Sequence, residues 1–357
     1  DMARRITRQL NIGGVLVGGD APVTVQSMTN TDTSDIKATV AQIKALEEAG
    51  CEIARVAVPD MDSANAVAEI KKAVSIPLVA DIHFDWRLAL ACLDGGVDCL
   101  RINPGNIGDT DRVRQVVKGA AAQGVPIRIG VNAGSLEKDI LARYGHPTPE
   151  ALVESAMRHI SILEEMDFRD IKVSLKASSV PLTVKSYRFL AEQVDYPFHI
   201  GITEAGTLFS GTIKSAAGLG ILLSEGLGDT MRVSLTGDPV DEVRAGWEIL
   251  KSLELRSRGA TIISCPTCGR LKFNSINIVK QIEERLASLK DSVKVAIMGC
   301  VVNGPGEAME ADIGIAGGDG AGMLYVKGKQ VRKVKEEEIV KAVLEEVDKL
   351  LAGRKAC

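Results

Sequence analysis

Residues 77–103 read PLVADIHFDWRLALACLDGGVDCLRIN, and this stretch is the unit from which most of the chain is built. PLVADI, from Pro77, is a nearly continuous apolar run, and CLRIN, from Cys99, is another. Between them lie a loop, an amphipathic segment and the pair Gly95-Gly96. Runs of this kind mark parallel strands covered on both faces. The glycines stand where a helix ends in a left-handed turn before the next strand. The unit is strand, helix, strand.

The same theme recurs on both sides. Further strand candidates are VTVQSM from Val23, EIARVAV from Glu52, PIRIGV from Pro126, IKVSLK from Ile171, FHIGIT from Phe198 and TMRVSL from Thr230. Helical periods separate them. Ile36, Val40, Ile43 and Leu46 follow Ser34-Asp35, and Val113, Val116, Val117 and Ala120 follow Asp109-Thr110. Leu152, Ala156, Ile160 and Leu163 follow Pro149, and Val240, Val243, Trp247 and Leu250 follow Asp238-Pro239. Each period thus opens with residues suited to an N-cap or first turn. Eight strands alternating with about eight helices predict an α/β fold, an N-terminal (β/α)8 TIM barrel over residues 1–256. A leading hairpin, Arg4–Ile12 against Val15–Val17, is expected to cap its bottom. Near Arg256 the rhythm changes. The remainder reads strand (ATIISC), cysteine loop, helix, strand (VKVAIMGC), Gly/Pro loop, two short strands and a charged helix. That pattern predicts a smaller α+β domain over residues 257–357.

The 357 residues carry 43 basic and 47 acidic side chains, a net charge of −4, so no overall positive field draws nucleic acid. No run approaches the about 18 apolar residues that cross a bilayer. DMARRITRQLNIGG, at the start, lacks the apolar core of an export signal, and a reducing cytoplasmic setting is expected. There, the cysteines at 51, 92, 99, 265, 268, 300 and 357 are more plausible as core residues, metal ligands or reactive thiols than as disulfides. Cys51, Cys92 and Cys99 lie in apolar runs and read as core.

Cys265-Pro266-Thr267-Cys268 is the strongest chemical signal, with Cys300 following ahead of Gly304-Pro305-Gly306-Glu307. A tight turn converges thiolates two residues apart on one centre. Three thiols leave three readings open: zinc with another ligand, a [4Fe–4S] cluster on three thiolates, or a redox dithiol. All four histidines (83, 146, 159 and 199) lie earlier in the chain, which disfavours a Cys3His zinc site. Glu307 is the natural fourth ligand. The Gly318–Gly322 run leads into a strand and is a turn rather than a dinucleotide loop, and the Lys/Glu-rich segment 327–346 reads as a solvated helix face.

Cations in apolar strands are the second signal. Arg55, Arg101, Arg128, Lys176 and Arg232 fall within or at the ends of five strand candidates, late in each run. Burying unpaired charge costs several kcal/mol, and barrel enzymes build their sites at the C-terminal strand ends. Five cations converging there make a phosphate or carboxylate pocket. Asn103 and Asn132 add neutral donors. Asp81 and His83 end the third strand, and Glu204 ends the seventh, with Thr203 and Ser234 nearby. A carboxylate among guanidiniums stays ionised and suits proton relay or orientation. His199, in an apolar run, reads as core.

At these motifs the chain resembles the bacterial 4-hydroxy-3-methylbut-2-enyl diphosphate synthase family of the methylerythritol phosphate route to isoprenoids. The resemblance rests on VQSMTNTDT from Val25, ADIHFD from Ala80, LRINPGNIG from Leu100, IRIGVNAGSL from Ile127, GITEAG from Gly201, RVSLTGDP from Arg232, SCPTCGR from Ser264 and MGCVVNGPGE from Met298. It runs nearly end to end, without the large mid-chain insertion of plant-type members. The resemblance implies a [4Fe–4S] cluster on Cys265, Cys268, Cys300 and Glu307. It implies diphosphate binding by Arg55, Arg101, Arg128, Lys176 and Arg232 with Asn132 and Ser234, and a proton relay at Glu204. It also implies a homodimer in which one subunit's cluster domain covers the other's barrel mouth, and a ferredoxin or flavodoxin as electron donor. The implied reaction is the reductive ring opening of 2-C-methyl-D-erythritol 2,4-cyclodiphosphate, with electrons delivered singly. A competing reading is a pterin-synthase-like barrel acting on a phosphorylated substrate, with a structural zinc in the tail.

Overall fold

Seven of the eight helices that alternate with the barrel strands begin at a side chain that takes up a free N–H group of the first turn. Asp35, Asp60, Asp85, Asp109, Thr148, Ser179 and Asp238 accept from Ala38, Ser63, Arg87, Arg112, Ala151, Leu182 and Val240 respectively. The structure, a computed structural model, describes residues 3–271 and 273–355, so Cys357 lies outside the described residues. The chain divides into two units, Asp1–Arg256 and Ser257–Cys357.

In the first unit a hairpin, β1 (Leu10–Ile12) and β2 (Val15–Val17), precedes eight parallel strands. These are β3 (Thr24–Met28), β4 (Ile53–Ala57), β5 (Leu78–Asp81), β6 (Cys99–Arg101), β7 (Ile127–Asn132), β8 (Ile171–Lys176), β9 (His199–Ile200) and β10 (Thr230–Met231). Their order is β8-β7-β6-β5-β4-β3-β10-β9, and a parallel bridge between Val173 and Phe198 closes the ring. Outward residues such as Val56, Leu100, Ile129 and Val173 pack with the helices in one core. Inward residues change character along the barrel. At the bottom Ile53, Val79 and Cys99 pack on Ile12 and Val17 of the hairpin, which caps that end. Above them the inward positions are polar and buried: Gln26, Arg55, Asp81, Arg101, Arg128, Lys172 and Ser174. The barrel strands therefore alternate, with only the lowest layer apolar on both sides.

Two strands are shorter than their apolar runs. FHIGIT pairs only at His199–Ile200 and TMRVSL only at Thr230–Met231. At Gly201 the backbones crowd, so that a Cβ there would lie 2.8 Å from the Arg232 carbonyl oxygen. Three residues on, Glu204 turns left-handed at φ 52°.

The second unit is one five-stranded sheet in the order β11 (Ala260–Ser264), β12 (Val293–Met298), β13 (Ile313–Gly318), β14 (Ala321–Val326) and β15 (Lys329–Lys335). The first three strands run parallel and the last two antiparallel. Helices Ser275–Leu286 and Ile339–Lys355 bury Ile278, Ile282, Val343 and Val347 against Val295, Ile315 and Leu324. The Gly318–Gly322 run is the turn between β13 and β14, with Gly318 opposite Ala321. The first part of the Lys/Glu-rich segment is not helical. Residues 329–335 form the sheet's edge strand, where lysines keep an open row of backbone groups from pairing with another chain.

Candidate active site

A cavity of about 290 Å³ lies among residues at the C-terminal ends of the barrel strands and in the loops that follow. Arg55, Arg101, Arg128, Lys176 and Arg232 all line it, together with His83, Asn103, Asn132, Thr203 and Ser234. Arg101 and Lys176 end their strands, and Arg232 follows its strand directly. Arg128 departs from the expected late position. It is the second residue of β7, opposite Arg101 and Lys172, and reaches the cavity only through the length of its side chain.

Asp81 organises two of the cations. Its carboxylate takes Arg55 Nη2 at 2.7 Å and Arg101 Nη1 at 3.4 Å, with His83 Nε2 at 3.4 Å. Burial alone raises the Asp81 carboxyl, but Arg55, then the His83 hydrogen bond and the Arg101 charge, hold it far below the ordinary carboxylate range. Arg101 Nη2 also donates to the Gly130 carbonyl at 2.8 Å. A Cβ at residue 130 would lie 2.6 Å from Arg101 Nε, so the guanidinium lies flat on that glycine. Arg232 bonds Glu242 through Nε at 3.2 Å. Glu242 also accepts from Ser27 Oγ at 2.9 Å and the Leu235 backbone at 3.0 Å.

The remaining cations make no ion pair among the described residues. Arg128 is 1% exposed and donates to Ser174 Oγ through Nε and Nη2, at 3.2 and 3.0 Å, while its Nη1 is unpartnered. Burial, then Arg55 and Arg101, disfavour its charge, yet a guanidinium does not deprotonate in a protein. Lys176 makes no ion pair among the described residues, and burial, then Arg128, Arg55 and Arg232, push its ammonium well below the ordinary value. Lys172, two inward steps below Lys176 on β8, is fully buried and unpartnered, and burial pushes it down to about 8. Such a cluster is an electrostatic debt that a bound polyanion discharges.

Neutral and acidic groups surround it unevenly. Asn103 gives Nδ2 to the Gly130 carbonyl at 2.9 Å and takes the Gly130 N–H at 3.0 Å, so its amide staples β7. Asn132 Oδ1 takes the Gly134 N–H at 2.9 Å. Glu204, exposed on its left-handed turn, is not among the residues that line the cavity. Sequence reasoning missed Glu242, Lys172 and a trio that borders the cavity, Glu137, Ser155 and His159. Period-2 counting along IKVSLK places Lys172 on the same face as Lys176. The others carry no local signal, because the fold brings them in from helices and loops.

In the second unit the Gly299 N–H donates to Cys265 Sγ at 3.2 Å. Backbone N–H groups of Asn303 and then Val302 lower the Cys300 thiol from its ordinary value. Gly304-Pro305-Gly306 is the first turn of a short helix, Gly304–Glu310, and Glu307 sits exposed in that turn. Cys268 is exposed as well, whereas Cys51, Cys92 and Cys99 are buried. Thiols met by backbone N–H donors, with a carboxylate and no imidazole, are a donor set suited to iron–sulfur ligation. Among the described residues no three His, Cys, Asp or Glu side chains are drawn together as a ready ion site. No helix among them is long and apolar enough to cross a membrane.

Residues 7–247 match the family model described as the GcpE TIM-barrel domain, and residues 261–349 match the GcpE protein C-terminal domain. A curated relative from Geobacter sulfurreducens, named 4-hydroxy-3-methylbut-2-en-1-yl diphosphate synthase (flavodoxin), is 62% identical over 98% of this chain and 99% of its own length. Relatives of the same name from Geobacillus thermodenitrificans and Clostridium perfringens are 60% and 57% identical, each over 97% of this chain and over 93% and 99% of their own. Among solved structures, a dihydropteroate synthase from Stenotrophomonas maltophilia covers 70% of this chain and 98% of its own, with a TM-score of 0.49 and 17% identity.

Proposed function

The chain belongs to the GcpE family, and from that membership we infer that it is a 4-hydroxy-3-methylbut-2-enyl diphosphate synthase of isoprenoid biosynthesis. It opens 2-C-methyl-D-erythritol 2,4-cyclodiphosphate reductively to (E)-4-hydroxy-3-methylbut-2-enyl diphosphate. Two electrons and two protons enter, a ring C–O bond breaks, and one hydroxyl leaves as water. A structural-zinc barrel of the pterin-synthase kind is not favoured, since relatives this close in sequence carry the reductive name over nearly their whole length.

The observation that carries the reading of the site is the surplus of positive charge at the cavity. Arg128 and Lys176 face the cavity with no acid partner. In the proposed complex they hold the diphosphate with Arg55, Arg101 and Arg232. Asp81 fixes Arg55 and Arg101 beside the cavity, an arrangement made before the substrate arrives. Ser234, Thr203, Asn132 and His83 are placed to bind hydroxyl and phosphate oxygens, with Asn103 holding the wall. Glu204, exposed on its left-handed turn, is the proposed proton relay.

The proposed cofactor is a [4Fe–4S] cluster held by Cys265, Cys268, Cys300 and Glu307. When bound it supplies single electrons and an iron with an exchangeable position. The protein's part is to offer backbone N–H donors to sulfur, at Cys265 from Gly299 and at Cys300 from Asn303 and Val302, which lower the Cys300 thiol from its ordinary value. The proposed donor is reduced flavodoxin, as in the relatives' names, or a ferredoxin, in the cytoplasm. The proposed assembly is a homodimer that shares its active site between subunits.

The test is anaerobic turnover of the cyclic diphosphate with reduced flavodoxin, beside iron and sulfide analysis of the same preparation. Product formation with iron and sulfide in equal amounts supports the proposal. Zinc without sulfide, or a full cluster without turnover, overturns it.

A further inference from the structure

We propose that His159 is a positioning residue for the anion pocket, clamping two of its loops to the helix behind them. The inference rests on reading this cavity as the diphosphate site. His159 lies on the helix Pro149–Glu165, its side chain 3% exposed, and borders the cavity. The period Leu152, Ala156, Ile160 and Leu163 gives no hint of it, because those residues form the apolar stripe.

Both ring nitrogens are spoken for. The Gly105 backbone N–H donates to Nδ1 at 3.1 Å. A backbone N–H only donates, so Nδ1 is the acceptor and Nε2 carries the proton. Nε2 then donates to Glu137 Oε1 at 3.1 Å, and Ser155 Oγ donates to the same carboxylate at 2.7 Å. Burial alone raises the Glu137 carboxyl, but the His159 and Ser155 hydrogen bonds bring it to about 2. The acceptor is thus fully ionised at neutral pH.

One imidazole therefore joins the turn after β6 to the segment after β7. The first, Pro104–Asn106, follows Asn103, whose amide staples Gly130 under Arg101. The second follows Asn132 through the turn Ala133–Ser135. Gly105 is shaped for the ring, since a Cβ there would lie 3.0 Å from His159 Cε1. A loop fixed in this way loses less freedom when the anion binds.

The experiment uses the full-length, cluster-loaded protein. Calorimetry measures inorganic pyrophosphate affinity, and steady-state assays give KM and kcat for the cyclic diphosphate. His159→Phe removes both bonds. It is expected to weaken pyrophosphate binding and raise KM together by about three- to tenfold, with kcat little changed. His159→Asn keeps an acceptor near Nδ1 for Gly105 and is expected to recover most of the affinity. His159→Gln restores the donor toward Glu137 instead and is expected to recover less. A ring that only fills the core would lower the melting temperature and leave KM and affinity alone. That result in folded His159→Phe overturns the inference. Should His159→Phe fail to fold, Gly105→Ala carries the same expectation, by pressing a methyl on the ring. Wild-type protein that does not bind pyrophosphate would overturn the pocket reading and this inference with it. Wild-type binding with unaffected variants overturns the inference alone.

Discussion

Replacing Lys176 with methionine separates a binding role from a structural one, because the two roles carry opposite signs. Lys176 ends β8, lines the cavity and has no acid partner among the described residues. Burial disfavours its charge most, and Arg128, Arg55, Arg232 and Arg101 add to the cost. In the unliganded protein Lys176→Met removes that cost while keeping most of the side chain's length. The gain expected is about 1 kcal/mol, the low end of the range seen when buried charges give way to apolar groups, because Lys176 is only partly buried. In the proposed anion complex the same ammonium meets phosphate oxygen. A hydrogen bond of that charged kind contributes about 1.5–3 kcal/mol, so pyrophosphate affinity should fall by about 10- to 100-fold. Higher stability with weaker binding is the signature.

The pH dependence follows from the same depressed value. The unfolded chain holds the Lys176 proton to higher pH than the folded one, so stability rises with pH between the folded value and the ordinary lysine value near ~10. Lys176→Met should flatten that rise without abolishing it, because Lys172, lowered to about 8, contributes with the same sign. Bound anion raises the Lys176 value again, so wild-type binding should take up protons, seen as a calorimetric enthalpy that varies with the buffer. Thermal melts from about pH 7 to about pH 10, with and without pyrophosphate, supply the stability side. A variant that is less stable without ligand and unchanged in affinity would refute the cation pocket.

The barrel was legible because short apolar runs alternate with helical periods and because Asp, Ser and Thr stand where helices start, although the runs themselves alternate between apolar outward and polar inward residues. The cations were legible for the opposite reason: an arginine inside Ile-Ala-Arg-Val-Ala or Ile-Arg-Ile-Gly-Val breaks the local pattern. Their partners were not. Glu242 is a helix residue among other helical acids, ten residues beyond its partner Arg232, and only closure of the ring brings Ser27 of β3 beside it. His159 is hidden for the same reason, as one polar residue on an amphipathic helix. The left-handed turn at Glu204 carries no glycine or asparagine to announce it. The Lys-rich edge strand was misread because charge density alone does not distinguish a solvated helix from a protected sheet edge.

Asp81→Asn leaves Arg55 and Arg101 as unneutralised neighbours. The unliganded protein should lose about 3–5 kcal/mol, and pyrophosphate should raise the melting temperature more than in the wild type. The wild-type Asp81 contribution is complete above the unfolded carboxylate value near ~4 and disappears as pH falls toward its own lower value, so only acid melts should reproduce the variant's loss. If the active site is shared across a dimer, mixing Cys265→Ser with Glu204→Ala protein should restore part of the activity. No recovery, with subunit exchange confirmed, would place each site within one chain. Gly130→Ala tests the geometry most directly, since it removes no charge and no hydrogen-bonding group. Its methyl would lie 2.6 Å from Arg101 Nε and 2.7 Å from Nη2, closer than atoms can stand. Either Arg101 leaves the Gly130 carbonyl and Asp81, or β7 shifts under Asn103. Both movements spoil the convergence on the anion, and overpacking of this kind costs about 1–3 kcal/mol. Pyrophosphate affinity should therefore fall about tenfold while Gly237→Ala, in open space, leaves it unchanged. Equal affinities would mean that Arg101 is free to move without consequence, and the preorganised clamp would have to be abandoned.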